Sequence, residues 1–386
     1  MDKRIYLLAF VNFVLGCVEV VPTGILCPIS RDLGVSVSAA GQMLGIFSLV
    51  FAVSAPVLQV VTARFERKAV FLCALVVFAA SCLWSALAPD YSSSMVARGI
   101  QAASSGVMSA IGFSLAAQLS DPAYRGRAIA VCAMGVSCAV VVGIPLGIMM
   151  TNSFGWRANY LLVMGLAAFC ALGVIAWLPQ QPGHVTVPLR MQLHTLSDIK
   201  LLSAHAVTVL LMWGHFTIYA FLAPFLERVA GIGPHLTSVV YLLFGTAGML
   251  GGWLGGYSSD RWGGGRSALI GGCLLALSLL ILPFAAGSLW LLLPVVAVWG
   301  MTSWGVTPSM QHYITINSPE TAGIQLGLNL SAIHLGLAIG AAVGGVAMGR
   351  LPVSYNAWIG AAVVVLAVLA IYYSIRQPKK TRLVLA

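Results

Sequence analysis

Residues 5–26 read IYLLAFVNFVLGCVEVVPTGIL, twenty-two residues holding a single charge, Glu19. As a helix rising about 1.5 Å per residue, such a run crosses the ~30 Å hydrocarbon core of a bilayer. A carboxylate placed there is costly and marks a functional site by default. Eleven further apolar runs follow, at 39–62, 69–88, 93–118, 127–150, 158–178, 201–226, 236–257, 268–286, 289–313, 323–348 and 354–375. Glu19 is the only carboxylate well inside any of them. The expected fold is an all-α membrane protein of twelve transmembrane helices in two six-helix bundles.

The composition agrees with that reading. Of 386 residues, 60% are hydrophobic and only 8% charged, and the mean hydropathy is +0.96. A soluble domain needs about 25% charged residues to cover its surface. A transmembrane barrel would show alternating segments of about ten residues in place of continuous runs. The 41 glycines suit close approach of membrane helices.

The net charge of +10 could suggest nucleic acid, but its distribution favours insertion. With the N-terminus inside, the cytoplasmic segments hold 15 of the 20 basic residues, among them Arg64, Arg67, Lys68, Arg125, Arg127, Lys379, Lys380 and Arg382. The outer segments hold only Arg31, Arg157, Arg228 and Arg350, and Arg98 lies inside a span. This asymmetry places both termini in the cytoplasm and leaves no nucleic-acid role. The basic start and apolar run resemble a signal peptide, but no small-x-small cleavage site follows, so the run is span one. The eight cysteines fall almost entirely within spans without CxxC pairing, which predicts apolar packing and no metal site.

The spans divide six and six. Residues 1–178 form the N-terminal bundle, 179–200 a polar cytoplasmic linker with three prolines, 201–375 the C-terminal bundle, and 376–386 a cytoplasmic tail. The halves echo each other at a spacing near 197 residues: a basic loop at Arg64–Lys68 and Gly256–Gly263, and glycine clusters at Gly143–Gly147 and Gly340–Gly345. Two parallel repeats of six helices suit alternating access around a midplane site.

These residues resemble the major facilitator superfamily, in its twelve-span drug:proton antiporter branch. Gly256, Asp260, Arg261 and Gly263 match the superfamily's G-x-x-x-D-R-x-G loop, whereas the first loop has Ala63 for the aspartate and Glu66 for the glycine. Span four carries the branch's arginine as Arg98, with Gln101 after it and Ala102 where glycine is usual. Span five carries the antiporter element as Gly143, Pro145 and Gly147. Gly16-Cys17-Val18-Glu19 and Asp32-Leu33-Gly34-Val35-Ser36 resemble sugar and nucleoside efflux proteins. Gly214 to Glu227, and Trp299 to Trp304, resemble bacterial purine-base efflux pumps most closely. The resemblance implies a monomeric transporter in a bacterial cytoplasmic (inner) membrane. It would export purine bases or related nucleosides in exchange for protons, with no cofactor beyond the coupling ion.

The residues themselves say more about the site. Asn12, Gly16, Glu19 and Thr23 fall at i, i+4, i+7 and i+11, one polar face on span one. Glu19 lies roughly 10 Å, and Arg98 roughly 8 Å, below the outer ends of their spans. Arg98 is therefore the expected partner of Glu19, with Glu19 as proton carrier and Arg98 modulating its hold on the proton. The alternative is a structural ion pair, which an apolar replacement often matches in stability. His215 and Tyr219 share a face of span seven with Phe216 beside them, and offer stacking and hydrogen bonds to a flat heterocycle. His215 is also a second proton candidate. Asn12, Trp299, Trp304, Gln311, Asn329 and His334 are further candidate substrate contacts. Gln42 reads as a rim group. Asp260 and Arg261, at a cytoplasmic helix end, are expected to latch the two bundles, and Gly143, Pro145 and Gly147 to serve gating.

Nothing resembles an enzyme: no phosphate-binding G-x-x-x-x-G-K-[ST], no His-Glu-x-x-His and no paired intramembrane aspartates occur. The rivals are a broader drug or sugar:proton antiporter, proton-coupled uptake, and a receptor or scaffold on a transporter fold.

Overall fold

Twelve helical segments are long and apolar enough to cross a membrane, and every regular element among the described residues is helical. The structure is a computed structural model that describes residues 2–121, 124–183 and 187–377. Most of the tail read at 376–386, with Lys379, Lys380 and Arg382, lies outside the described residues.

In the first half the crossings are α1 (Lys3–Gly24) with its short continuation α2 (Leu26–Asp32), α3 (Val37–Val61), α4 (Arg67–Leu87), α5 (Tyr91–Gln118), α6 (Arg125–Cys138) running on into α7 (Ile144–Phe154), and α8 (Arg157–Trp177). A short helix, α9 (Leu189–His194), sits between the halves. The second half comprises α10 (Ile199–Tyr219) with α11 (Leu222–Arg228), α12 (Pro234–Trp262), α13 (Gly264–Ala285), α14 (Leu289–Asn317), α15 (Ala322–Met348) and α16 (Tyr355–Arg376). Their outer surfaces carry an exposed apolar belt, including Val53, Leu172, Leu250 and Leu366, as a lipid-facing surface requires.

Proline chemistry breaks the first and seventh crossings, which the sequence presents as continuous runs. A proline has no N–H to give the carbonyl four residues back. Pro28 therefore cannot bond Gly24, and the chain turns at Ile25 (φ −128°, ψ 20°). Pro224 cannot bond Ala220, and the chain turns at Phe221 (φ −118°, ψ 21°). The two breaks occupy equivalent places in the two halves, so the internal repeat extends to backbone detail. A third irregularity, a π-helical stretch at Ala139–Gly143, precedes Pro145 in the fifth crossing.

The connection between the halves is more ordered than its polar composition suggests. Glu66 caps α4 by accepting from Lys68 N (2.9 Å) and Ala69 N (2.7 Å), and it also accepts from Gln181 N (2.8 Å). Arg67 N returns a bond to the Gln181 carbonyl (2.8 Å). Lys68 Nζ reaches the carbonyls of Ile175 (2.9 Å) and Leu178 (2.7 Å). Further on, Gln325 Nε2 donates to Thr195 Oγ1 (2.8 Å).

The two bundles touch at the end of the molecule remote from the termini. There Ser38 Oγ donates to the Gly345 carbonyl (2.5 Å) and Gln42 Nε2 to the Ala341 carbonyl (3.4 Å), joining α3 to α15. Tyr241 OH on α12 donates to the Thr23 carbonyl on α1 (3.1 Å). The Phe221 ring fills the space that a side chain at Gly41 or Gly344 would need. Outside these, Arg31 Nη2 pairs with Glu227 (3.3 Å), residues 196 positions apart that meet across the repeat axis.

Candidate functional site

Between the bundles lies a cavity of about 410 Å³, bounded by α1, α3, α5 and α6 on one side and α10, α12, α14 and α15 on the other. Glu19 lines it, partly exposed, as the span-one polar face predicts. The contacts that join the bundles close the far end. No hydrogen bond or ion pair among the described residues joins the spans of the two bundles on the side of the termini, so the cavity faces that way.

The partner of Glu19 is His334 and not Arg98. His334 Nε2, on α15, lies 3.4 Å from Glu19 Oε1, on α1. The imidazole is fixed from two other sides. Its Nδ1 is 3.0 Å from the Leu330 carbonyl, one turn earlier on its own helix, and its ring stacks on Phe51 of α3 at 3.8 Å and 9°. A carbonyl only accepts, so Nδ1 carries a hydrogen. The face turned to Glu19 is then a lone pair in neutral histidine and an N–H only in the imidazolium.

Arg98 shares the depth of Glu19 but turns into the body of the N-terminal bundle. It is fully buried. Its Nη1 donates to the Val18 carbonyl (2.7 Å) and to Gln101 Oε1 (3.3 Å), its Nε donates to the Met43 carbonyl (3.2 Å), and its guanidinium lies over Phe47 at 4.5 Å. The guanidinium is thus held by α1, α3 and α5 at once and makes no ion pair with Glu19. Gln101 continues the network to Ser85 Oγ (2.9 Å) and the Ser81 carbonyl (3.2 Å) on α4.

On the opposite wall His215, Phe216, Tyr219, Phe244 and Trp299 form one cluster, with ring centroids 4.9–6.3 Å apart. His215, Phe216 and Tyr219 face the cavity. Trp299 does not; it is fully buried, and its Nε1 donates to His215 Nδ1 at 3.0 Å. Indole nitrogen only donates, so His215 Nδ1 holds a lone pair and its Nε2 carries the ring hydrogen. Trp299 positions the histidine and is not itself a contact. The Tyr219 hydroxyl makes no well-formed hydrogen bond.

Trp304 and Gln311 on α14 line the cavity as expected. Asn12 and Asn329 do not. Asn12 is buried between α1 and α5, giving Nδ2 to the Leu8 carbonyl (3.1 Å) and accepting from Ser109 (3.3 Å). Asn329 donates to Thr208 (2.9 Å) and ties α15 to α10. The polar face of span one therefore splits: Glu19 and Gly16 reach the cavity, Asn12 and Thr23 serve packing.

The gating residues also divide. Asp260 is largely exposed, 3.8 Å from His312 of its own bundle, and among the described residues Arg261 bonds only to Tyr257 (3.3 Å). Neither latches the bundles in this state, because the end they occupy is open. Gly143 and Gly147 press the fifth crossing against the first: a Cβ at either would meet Cys17 or Val21. Pro145 sits where the π-helical stretch returns to α-helix.

Several residues at the site carry weak sequence signals. Gln42, read as a rim group, bridges the bundles. Ser38, Phe51, Phe221, Tyr241 and Phe244 are ordinary residues of membrane helices, and only the packing reveals them. Arg31 and Glu227 were detectable, as opposite charges at equivalent positions of the repeat.

The profile described as Major Facilitator Superfamily matches residues 8–332. An uncharacterized MFS-type transporter of Bacillus subtilis, YbcL, is 32% identical over 367 residues, covering 95% of this chain and 94% of the relative. The inner membrane transport protein YdhP of Escherichia coli K12 is 28% identical over 377 residues, covering 97% and 96%. Among solved structures, a bacterial homolog of the human lysosomal transporter Spinster, in an inward-facing and unoccupied conformation, aligns with a TM-score of 0.74 at 16% identity, covering 98% of this chain and 100% of that one. A peptide transporter, POT, in complex with alafosfalin aligns at 0.77 with 13% identity, covering 97% and 94%. At such identities the likeness is one of fold.

Proposed function

The chain belongs to the Major Facilitator Superfamily, and on that premise we propose that it exports purine bases or related nucleosides in exchange for protons by alternating access. The observation that carries this reading is the placing of Glu19 in the shared cavity, against a titratable group of the opposite bundle. A carboxylate there can hold a proton in one arrangement of the bundles and surrender it in another. The coupling ion needs no cofactor. The substrate assignment draws on the aromatic wall of His215, Phe216 and Tyr219, which offers a flat heterocycle both stacking and an N–H donor. It draws equally on the resemblance of the Gly214–Glu227 and Trp299–Trp304 stretches to purine efflux pumps.

The charge asymmetry supports termini in the cytoplasm, and the resemblance implies a bacterial inner membrane. With that orientation the cavity is open inward, ready to load. The chain is read as a monomer whose surroundings are lipid. A broader drug or sugar:proton antiporter remains the second reading, favoured by a cavity with room for more than a bicyclic base. Inverted vesicles with an imposed pH gradient test the choice, using labelled adenine, hypoxanthine, guanine, a nucleoside, arabinose and a cationic dye. Accumulation of the purines is expected; transport of dye or arabinose without any purine would overturn the assignment.

A further inference from the structure

We infer that the N-terminal bundle holds an anion site built on Arg67, at the end of the molecule that carries the termini, and that chloride is its ligand. The site lies apart from the cavity that Glu19 lines.

Arg67 opens α4 and is only 4% exposed, yet no carboxylate among the described residues stands within ion-pair distance of it. Its Nη2 donates to the Ala63 carbonyl, just past the end of α3 (2.8 Å), and its Nε has no partner among the described residues. Ala63 stands where the superfamily's loop has aspartate, so that position supplies no acid. The adjacent acid, Glu66, is already engaged by the N–H groups of Gln181, Lys68 and Ala69. A buried cation without a counter-charge is costly. An anion that accepts its N–H relieves both the charge and the missing hydrogen bond.

The space for such an anion is present. Arg67 lines a small cavity between α3, α4 and α5, with Gln59, Ser114 and Gln118 as the other polar residues and no acidic side chain. Gln118 Nε2 donates to Ser114 Oγ (3.1 Å), which leaves the Ser114 hydrogen to give. Guanidinium, hydroxyl and amide thus bring donors to one place. The free space is about 10 Å³, room for one water-sized body. That excludes a polyatomic anion and suits a monatomic one, with Gln118 exposed at the rim so that the opening can widen slightly. A water there would satisfy the hydrogen bonds and leave the charge, whereas chloride answers both.

Gln59 follows Ser48 by eleven residues on one face of α3, and Ser48 lines the central cavity. The site is therefore reached from the open side of the molecule. Arg64, exposed on the same loop, and Lys68 raise the local concentration of anions. Filled, the site ties the ends of α3, α4 and α5 together around one charge.

The test follows the chlorine NMR line width as purified protein in a non-ionic detergent is titrated with chloride. The parent protein is expected to give a saturable broadening that bromide displaces and gluconate, too large to enter, does not. Arg67→Gln should reduce it several-fold. Arg64→Gln, which removes the same charge outside the cavity, should leave it in place. Because Arg67 also caps α3, Ser114→Val is measured beside it; this variant keeps that bond, removes a donor and fills the space, and should lose the broadening too. Chloride should also raise the thermal midpoint of the parent protein above that in gluconate at equal ionic strength, and should not do so in Ser114→Val. Absence of a saturable component, its survival in Ser114→Val, or an equal loss in Arg64→Gln would overturn the inference.

Discussion

At the scale of single residues, Glu19 was legible as the one carboxylate deep in the spans, and it lines the cavity, whereas Asn12 and Thr23 of the same polar face serve packing. Its partner was not legible. Depth along a helix can be counted, and Arg98 matched; rotation about the helix axis and the choice of acceptors cannot. Three carbonyl and amide oxygens from α1, α3 and α5 engage the Arg98 guanidinium, and His334 arrives from the other bundle. Trp299 shows the same gap: its residue type suggested a contact, and packing places it behind His215, off the cavity lining. Trp299→Phe should leave the fold intact and weaken purine binding by roughly tenfold, about the worth of one oriented hydrogen bond. Isothermal titration with the purified protein checks this, and unchanged affinity would show that the orientation of His215 is immaterial.

At the scale of elements, the breaks at Ile25 and Phe221 were written in Pro28 and Pro224, whose spacing repeats that of the halves. The ordering of the linker was hidden, because it depends on Glu66 standing where the superfamily has glycine. Burial pushes the Glu66 carboxyl up, but the backbone N–H groups of Gln181, Lys68 and Ala69, with the charge of Lys68, outweigh it and hold the group below the usual carboxylate range. A lowered folded value means that the stabilisation is present above the unfolded value of about 4.3 and is lost as pH falls through the folded one. Limited proteolysis between the bundles should therefore be slow at neutral pH and accelerate in the acid range. Glu66→Gln should be cut faster already at neutral pH, and a variant as resistant as the parent would contradict this. The first and fifth crossings give a second prediction. Gly147→Leu forces a side chain into Val21 and should cost about 1–3 kcal/mol, lowering the thermal midpoint in detergent.

At the scale of the whole molecule, twelve spans, their division six and six and the shared cavity follow from hydropathy and repeat. Which end is closed does not, because one sequence must suit both arrangements. Asp260 and Arg261 illustrate this: their pattern points to a latch, and here they touch only their own bundle. Asp260→Asn should lower turnover several-fold while purine affinity in the open state stays within about twofold, since Asp260 does not line the cavity. Radioligand binding beside transport separates the two effects, and a large loss of affinity would place Asp260 in the site.

The central claim is that solute and proton exchange for one another at Glu19. Purified protein in lightly buffered detergent near neutral pH, mixed with saturating hypoxanthine, reports this through a pH-indicator dye. The account predicts release of about one proton per molecule, as expected of a single intramembrane carrier, and none from Glu19→Gln. Saturable binding with no proton released by the parent protein would contradict it.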